Sequence, residues 1–318
     1  MSKKICFISN FHITELFEKI AVDLQAKGCE IFWICPNKHA YDKLSQAWGV
    51  SNTLYIGMSN VISSDKTNST SYPDALHNIH SNDLVIRDRI LKHRSHLGAE
   101  YLSKLKGVTF DFLTKNNINA VFGEVTWSHE VLINRICLQV KECTATYYNP
   151  LTLRLPQQTF GFFLDEYQSN LSQHKTDKDI TSEMSERYDI TIVNSSNKEL
   201  PPPEYLSLMD DFVTKANSFS NQLTQTYNLL FKPIDKQDPT LEVSRTLRFT
   251  GGVLRYFKAK AYGQFNKKQL KDVVDLNYYL YPLHKQPEAS IDVIGKYYDD
   301  QLLNIRNIAS QLKDDEYL

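Results

Sequence analysis

Short apolar runs alternate with amphipathic stretches along the first half of the chain. Lys4 to Ser9 reads as a buried strand, and the following segment puts Leu16, Phe17, Ile20, Ala21 and Leu24 on one helical face before Gly28 ends it. Glu30 to Cys35 is a second buried strand, and strand, helix and strand in this order make a βαβ unit with a right-handed crossover. Thr53 to Ile56 is a candidate third strand. Residues 59 to 82, rich in Ser, Asn, Asp and Thr, read as a long surface loop. Helical spacing then runs from Leu84 to Lys115. Ala120-Val-Phe122 is another buried strand that stops at Gly123-Glu124, and a helix over Ser128 to Val140 and a strand near Thr144 to Tyr148 repeat the theme.

From about 168 to 245 the pattern becomes polar and helix-prone, with a strand-like Asp189 to Val193 before the break at Pro201-Pro-Pro203. Asn277 to Pro282 reads as a strand, followed by a proline-containing loop and a helix over Gly295 to Leu312. The fold class expected is α/β, a Rossmann-like parallel sheet with a helical insertion. The expected organisation is an N-terminal domain over 1–195, a helical insertion and basic linker over 196–272, and the start of a second α/β domain over 273–318. Only about 40 residues follow position 277, too few to complete that second domain.

Composition narrows the classes. The 318 residues are 42% apolar and 12% aromatic, enough for a sizeable core, and the formal net charge of −1 gives no global field for nucleic acid. Cys6, Cys29, Cys35, Cys137 and Cys143 fit no zinc spacing and read as thiols of a reducing compartment. No secretory leader is read at the N-terminus, and no apolar run reaches the roughly 18 residues of a membrane span. A cytoplasmic protein is expected, peripheral at most. Residues 244 to 271 hold eight Lys and Arg, among them Arg255, Lys258 and Lys260, interleaved with aromatics and no acidic residue. A solvated helical face, contact with anionic lipid or a lipid-borne phosphate, and nucleic acid are the readings of this segment; no nucleic-acid partner is expected for the chain.

Candidate chemistry sits at two strand ends, where open α/β sheets bind their ligands. Glu124 follows the strand Ala120-Val-Phe122 and either acts as a general base or nucleophile or caps the next helix; His129 and Glu130 lie on that helix as binding or structural residues. Arg154, between prolines, either clamps a carboxylate or phosphate or makes a structural ion pair. In Tyr281-Pro-Leu-His-Lys-Gln-Pro-Glu-Ala-Ser290, two prolines stiffen a loop carrying His284, Gln286 and Glu288. The chain has no Gly-x-Gly-x-x-Gly after its first strand, no P-loop and no Gly-x-Ser-x-Gly elbow, which argues against dinucleotide oxidoreductases, P-loop enzymes and serine hydrolases of that type.

That Pro-Leu-His-x-Gln-Pro-Glu-x-Ser segment, followed by Tyr298-Asp-Asp-Gln301 and the helix from Leu302 to Ala309, resembles the capsule polysaccharide biosynthesis family, which includes transferases of 3-deoxy-manno-octulosonic acid (Kdo). Phe122-Gly-Glu-Val-Thr-Trp-Ser-His-Glu130 and Tyr148-Asn-Pro-x-x-x-Arg154-x-Pro156 resemble its first domain. The resemblance implies a bacterial glycosyltransferase of two Rossmann domains (GT-B-like), with a glycolipid or oligosaccharide acceptor on the first and a nucleotide sugar, CMP-Kdo, on the second. It implies Glu124, His284 and Glu288 as catalytic residues, and Arg154, Gln286, His129 and Glu130 as substrate-binding ones. No cofactor beyond the nucleotide-sugar donor is implied, and the inner membrane and other polysaccharide-synthesis proteins are the implied surroundings; metal-independent transfer is expected on the separate reading that the chain offers no Asp-x-Asp to hold a metal. The His-Pro motif found further along in relatives does not occur in this sequence. A non-catalytic polysaccharide-binding or assembly and export protein is the alternative reading.

Overall fold

A computed structural model describes residues 2–11, 13–64, 72–150, 159–175, 235–241, 277–279, 281, 298, 300–313 and 315–317. Its centre is a five-stranded parallel sheet built from β1 (Lys4–Ile8), β2 (Glu30–Cys35), β3 (Thr53–Tyr55), β4 (Ala120–Phe122) and β5 (Thr146–Tyr148), in the spatial order β3-β2-β1-β4-β5. Ile5 pairs with Ile31 on one side and with Ala120 on the other, so β1 lies in the middle. This explains its unbroken apolar run: a central parallel strand is covered on both faces.

Alternation along the strands divides the core in two. Ile5, Phe7, Ile31 and Trp33 face α1 (Ile13–Ala26) and α2 (Lys38–Trp48), burying Phe17, Ala21 and Leu44 against them. The Phe7 ring lies 5.1 Å from Phe17, 5.2 Å from Trp33 and 5.5 Å from Phe122. Cys6, Ile8, Phe32 and Ile34 face the other layer, made by α3 (Met58–Ile62), α4 (Asp74–His77), α5 (Ser81–Arg87), α6 (Ser95–Lys115) and α7 (Ser128–Gln139). Local chemistry sets the element ends: Asn37 Oδ1 accepts from Ala40 N at 3.1 Å to cap α2, and Gly28 leaves α1 at φ 83°.

Three expectations for residues 1–115 are corrected. Among its described residues, 59–82 is not a surface loop, because α3 and α4 bury Val61 and Leu76 and the following turn buries Ile79. Helices of four or five residues are too short for a 3.6-residue period to register in the sequence. The helical stretch from Leu84 to Lys115 breaks after Arg87, where Asp88 Oδ1 accepts from Ile90 N and Leu91 N, each at 2.8 Å, and diverts the backbone from the helical pattern. The apolar face of α1 is a narrow seam: Phe17 and Ala21 are buried, whereas Leu16 is 54% exposed and Ile20 39%.

Beyond β5 the chain forms a hairpin of β6 (Thr159–Phe163) and β7 (Leu171–Lys175), so 171–175 is strand where helix-prone sequence was expected. Asn149 joins the hairpin to β5 by exchanging backbone hydrogen bonds with Phe163 at 2.8 and 3.1 Å. Residues 235–241 return to the carboxyl end of the sheet, where Met58 N donates to Gln237 O at 2.8 Å. Near the C-terminus, β8 (Asn277–Tyr278) pairs in parallel with β9 (Glu316–Tyr317), and α8 (Gln301–Ala309) opens with an Asp300 cap to Leu303 N at 2.9 Å. No helix among the described residues is long and apolar enough to cross a membrane. All five cysteines are free thiols.

Candidate functional site

The strand order reverses between β1 and β4, since the chain runs outward through β2 and β3 in one direction and through β5 in the other. The loops leaving these two neighbours diverge there and open a crevice at the carboxyl end of the sheet. Ser9 and Asn10 leave β1, and Gly123 and Glu124 leave β4. A Cβ on Gly123 would lie 2.3 Å from the Tyr147 hydroxyl and 2.9 Å from Ile8 Cδ1, so only glycine lets the chain turn this close to the sheet.

Both loops are held in unusual backbone. Phe11 sits at φ 39° and Val125 at φ 55°, a region that β-branched and bulky residues rarely enter. Glu130 holds the second loop. Fully buried in the first turn of α7, its carboxylate accepts from Thr126 N at 2.8 Å, Thr126 Oγ1 at 3.0 Å, Trp127 N at 3.1 Å and Glu124 N at 3.2 Å. Favourable placement of an acid at a helix N-terminus adds to this. Asp88 Oδ2 completes the turn by accepting from Ser128 N at 3.0 Å.

Asn10 spans the crevice. Its Oδ1 accepts from the Trp127 indole Nε1 at 3.3 Å, and because an indole N–H can only donate, the amide Nδ2 is turned toward the carboxylates. Nδ2 donates to Glu124 Oε2 at 2.8 Å, with Thr126 Oγ1 at 3.2 Å and Glu130 Oε1 at 3.4 Å around it. Burial first, and then the charge of Glu130, push the Glu124 carboxyl up to about 7, against the pull of Arg89. Near neutral pH Glu124 is therefore poised to take or give a proton.

Beside the crevice, between the ends of β1 and β2 and the first turns of α1 and α2, lies an open cavity of about 300 Å³ whose lining includes Asn10, Thr14, Asn37, Lys43 and Asp238. Asn37 Nδ2 donates to the buried Asp238 at 2.8 Å, which closes one wall with residues from 235–241. Asn10 belongs to the crevice and the cavity alike.

Of the residues singled out from sequence, Glu124, His129 and Glu130 come together here. Glu124 reaches the crevice, Glu130 shapes its loop from within, and His129 lies fully buried, its imidazole pKa lowered chiefly by burial. Arg154, Arg255, Lys258, Lys260, His284, Gln286 and Glu288 lie outside the described residues. Asn10, Asp88, Arg89 and Trp127 were not singled out, although Ser9-Asn10 as the polar stop of the first strand was a usable signal. Among the described residues no cluster of His, Cys, Asp or Glu could hold a metal ion. The sequence does contain one Asp-x-Asp, Asp177-Lys-Asp179, outside the described residues, so that motif is not absent from the chain. Comparison of the chain with protein-family models, with curated proteins and with solved structures found no match.

Proposed function

We propose that the crevice between β1 and β4 is the acceptor side of a sugar transferase of surface polysaccharide synthesis, with Glu124 as its general base. The observation that carries this reading is a carboxyl group at the switch point of a parallel sheet, oriented by Asn10 and raised to about 7. A base of that strength at that place suits deprotonation of a hydroxyl at neutral pH. In the proposed step the acceptor hydroxyl attacks the anomeric carbon of the donor sugar, the bond from that carbon to the nucleotide phosphate breaks, and the nucleotide leaves with the electron pair. The hydroxyl proton passes to Glu124. The resemblance assigns the donor, CMP-Kdo, to the second domain, where His284, Gln286 and Glu288 would serve it; the side-chain chemistry of Arg154 suits a neutralising role, and that of Arg255, Lys258 and Lys260 suits contact with a phosphate-bearing lipid surface.

The test is transfer from CMP-Kdo to a glycolipid or oligosaccharide acceptor by the full chain. Wild-type rate should rise with pH through about 7 and level off above it, and Glu124→Gln should lose about 100-fold or more. Undiminished transfer by Glu124→Gln overturns the assignment. Phe11, 58% exposed in the lining of the cavity, favours a second reading, a glycan-holding assembly protein. Glycan binding without CMP binding or transfer would select it.

A further inference from the structure

Two lysines of α6 fasten the short elements packed against it, and among the described residues only one of them has an acidic partner. Lys104 Nζ donates to Ile62 O at the end of α3 and lies 3.7 Å from Glu100, a surface pair of little strength. Lys106 Nζ donates to Ile79 O at 3.0 Å, in the turn after α4. Burial alone holds its ammonium below the usual lysine pKa, with no carboxylate beside it to offset that. The same fold gives the buried Arg87 and Arg135 a shared carboxylate in Glu166, so a partly desolvated cation left without a counter-charge stands out.

Lys106 lines a small cavity of about 80 Å³ between α4 and α6, together with Lys104, His77, Ser103, Tyr72 and Gly107. Tyr72 lies flush against the bare backbone of Gly107, where a Cβ would come within 2.8 Å of its hydroxyl. That hydroxyl donates to Asp111 at 3.0 Å, which engages a carboxylate that is not part of the lining. The lining itself offers two ammonium groups, an imidazole and a serine hydroxyl, and no carboxylate.

We propose that this cavity binds a phosphoryl group, seated on Lys106 and Lys104 with Ser103 as a hydroxyl donor. It shares no residue with the crevice or with the cavity beside Asn10, so it stands independently of the transferase reading. Ligands with rings take pockets of roughly 300 Å³ or more; about 80 Å³ admits a tetrahedral oxyanion instead. Ammonium groups act as point charges, which suits a doubly charged phosphoryl group, whereas a planar carboxylate is matched better by a guanidinium fork. Lys106 spends one of its three N–H donors on Ile79 O, so an anion adds to that fastening without replacing it. Held by both lysines, the anion ties α6 to the end of α3 and to the turn after α4, and so stabilises the layer that buries Val61, Leu76 and Ile79.

Titration calorimetry of the full chain at pH 7.5 tests this, in a phosphate-free buffer with potassium chloride holding the ionic strength constant. Inorganic phosphate and glycerol 3-phosphate are the soluble probes, and phosphatidylcholine vesicles carrying phosphatidic acid are the membrane-borne one. At least one source should bind, and Lys106→Met should weaken that binding about tenfold or more, while Lys106→Arg, which keeps charge and donors, should retain most of it. A soluble probe that binds should, at about ten times its Kd, raise Tm by roughly 3 °C. Ser103→Asp puts a carboxylate one helical turn before Lys106 at an exposed position and leaves the Ile79 contact intact; it should abolish binding in a chain that circular dichroism shows to be folded. Binding of a soluble probe assigns the site to free phosphate or a phosphomonoester, and Lys106-dependent binding to the vesicles alone assigns it to a lipid headgroup. No binding from either source, unchanged affinity in folded Ser103→Asp, or a Tm rise that potassium chloride reproduces at equal ionic strength overturns the proposal.

Discussion

Asn10 Nδ2 donates to Glu124 Oε2 at 2.8 Å across the gap where β1 and β4 diverge. One amide thereby ties the ends of two strands separated by more than a hundred residues of sequence, and it satisfies the Trp127 indole with its other face at 3.3 Å. Asn10→Ala should strip both contacts and leave a buried donor and two carboxylates short of partners, at a cost of about 2–3 kcal/mol. Urea unfolding at pH 7 measures it. A loss below about 0.5 kcal/mol would mean that water replaces the amide without penalty.

Glu124 is held against its own ionisation, with a definite sign in pH. Its carboxyl is raised from 4.5 to about 7 in the folded chain, so between those values the unfolded chain ionises while the folded one keeps its proton, and stability from this group falls as pH rises through that window. Above about 7 the loss is complete. Glu124→Gln, which cannot ionise, should match wild type near pH 4.5 and be more stable at pH 8. Discounted for the solvent that reaches this half-buried group, the gain is about 1–2 kcal/mol. A pH-independent difference in thermal unfolding would contradict it.

Glu130 is fully buried and holds the loop by hydrogen bonds that the fold needs. Three backbone N–H groups, those of Glu124, Thr126 and Trp127, donate to it, and none has another acceptor in the loop geometry it enforces. Glu130→Gln keeps the shape but turns an acceptor edge into an N–H₂ edge, and should cost about 3 kcal/mol or more. Val125 at φ 55° would then be free to relax, so the loop should gain hydrogen exchange at Thr126 and Trp127 beyond the global change.

What was legible in the sequence follows from range. Lys4 to Ile8 and Glu30 to Cys35 are continuous apolar runs because each is buried on both faces, and that pattern alone marks a parallel sheet. Glu124 could be placed at a strand end because Ala120-Val-Phe122 stops so abruptly. Arg89 and Asn10 could not be joined to it: their partnership with Trp127 and Glu124 exists only once β4 lies beside β1, and nothing local to Asp88-Arg89-Ile90 distinguishes a stacked arginine from a solvated one. Nor could Glu130 be separated from Glu124, since both are acids near a helix start, and only the folded loop turns Glu130 inward onto three backbone N–H groups while Glu124 meets Asn10 in the crevice.

Glu166 fastens the hairpin turn to the helical layer. It accepts from Arg87 Nη1, from Arg135 Nε at 2.8 Å and from Arg135 Nη2 at 3.2 Å, with Arg87 only 5% exposed. Glu166→Ala removes the carboxylate shared by two guanidinium groups and should destabilise by about 3–5 kcal/mol, far above the value of a surface pair. Limited proteolysis should then cut within 164–170 before any other described segment, and a first cut elsewhere would show that the turn is held by other means.

Phe11 combines two costs, a positive φ of 39° and a ring 58% exposed to water, and its contact with Trp127 at 6.0 Å repays only part of them. Left-handed backbone costs an ordinary L-residue about 1–2 kcal/mol, Asn much less, while an aromatic pair returns about 0.5–1.5 kcal/mol. Phe11→Asn should therefore be as stable as wild type or up to about 1 kcal/mol more stable, whereas Phe11→Ala, which loses the ring and keeps the strain, should be less stable than either. If the ring serves a bound glycan, both variants should bind that glycan more weakly even though one of them is the sturdier protein. Separating the two readouts decides why Phe11 is there: stability gained together with unchanged binding would make its strained backbone an incidental feature of the β1 loop, and stability gained with binding lost would make it a residue whose cost in folding is offset only when the crevice is filled.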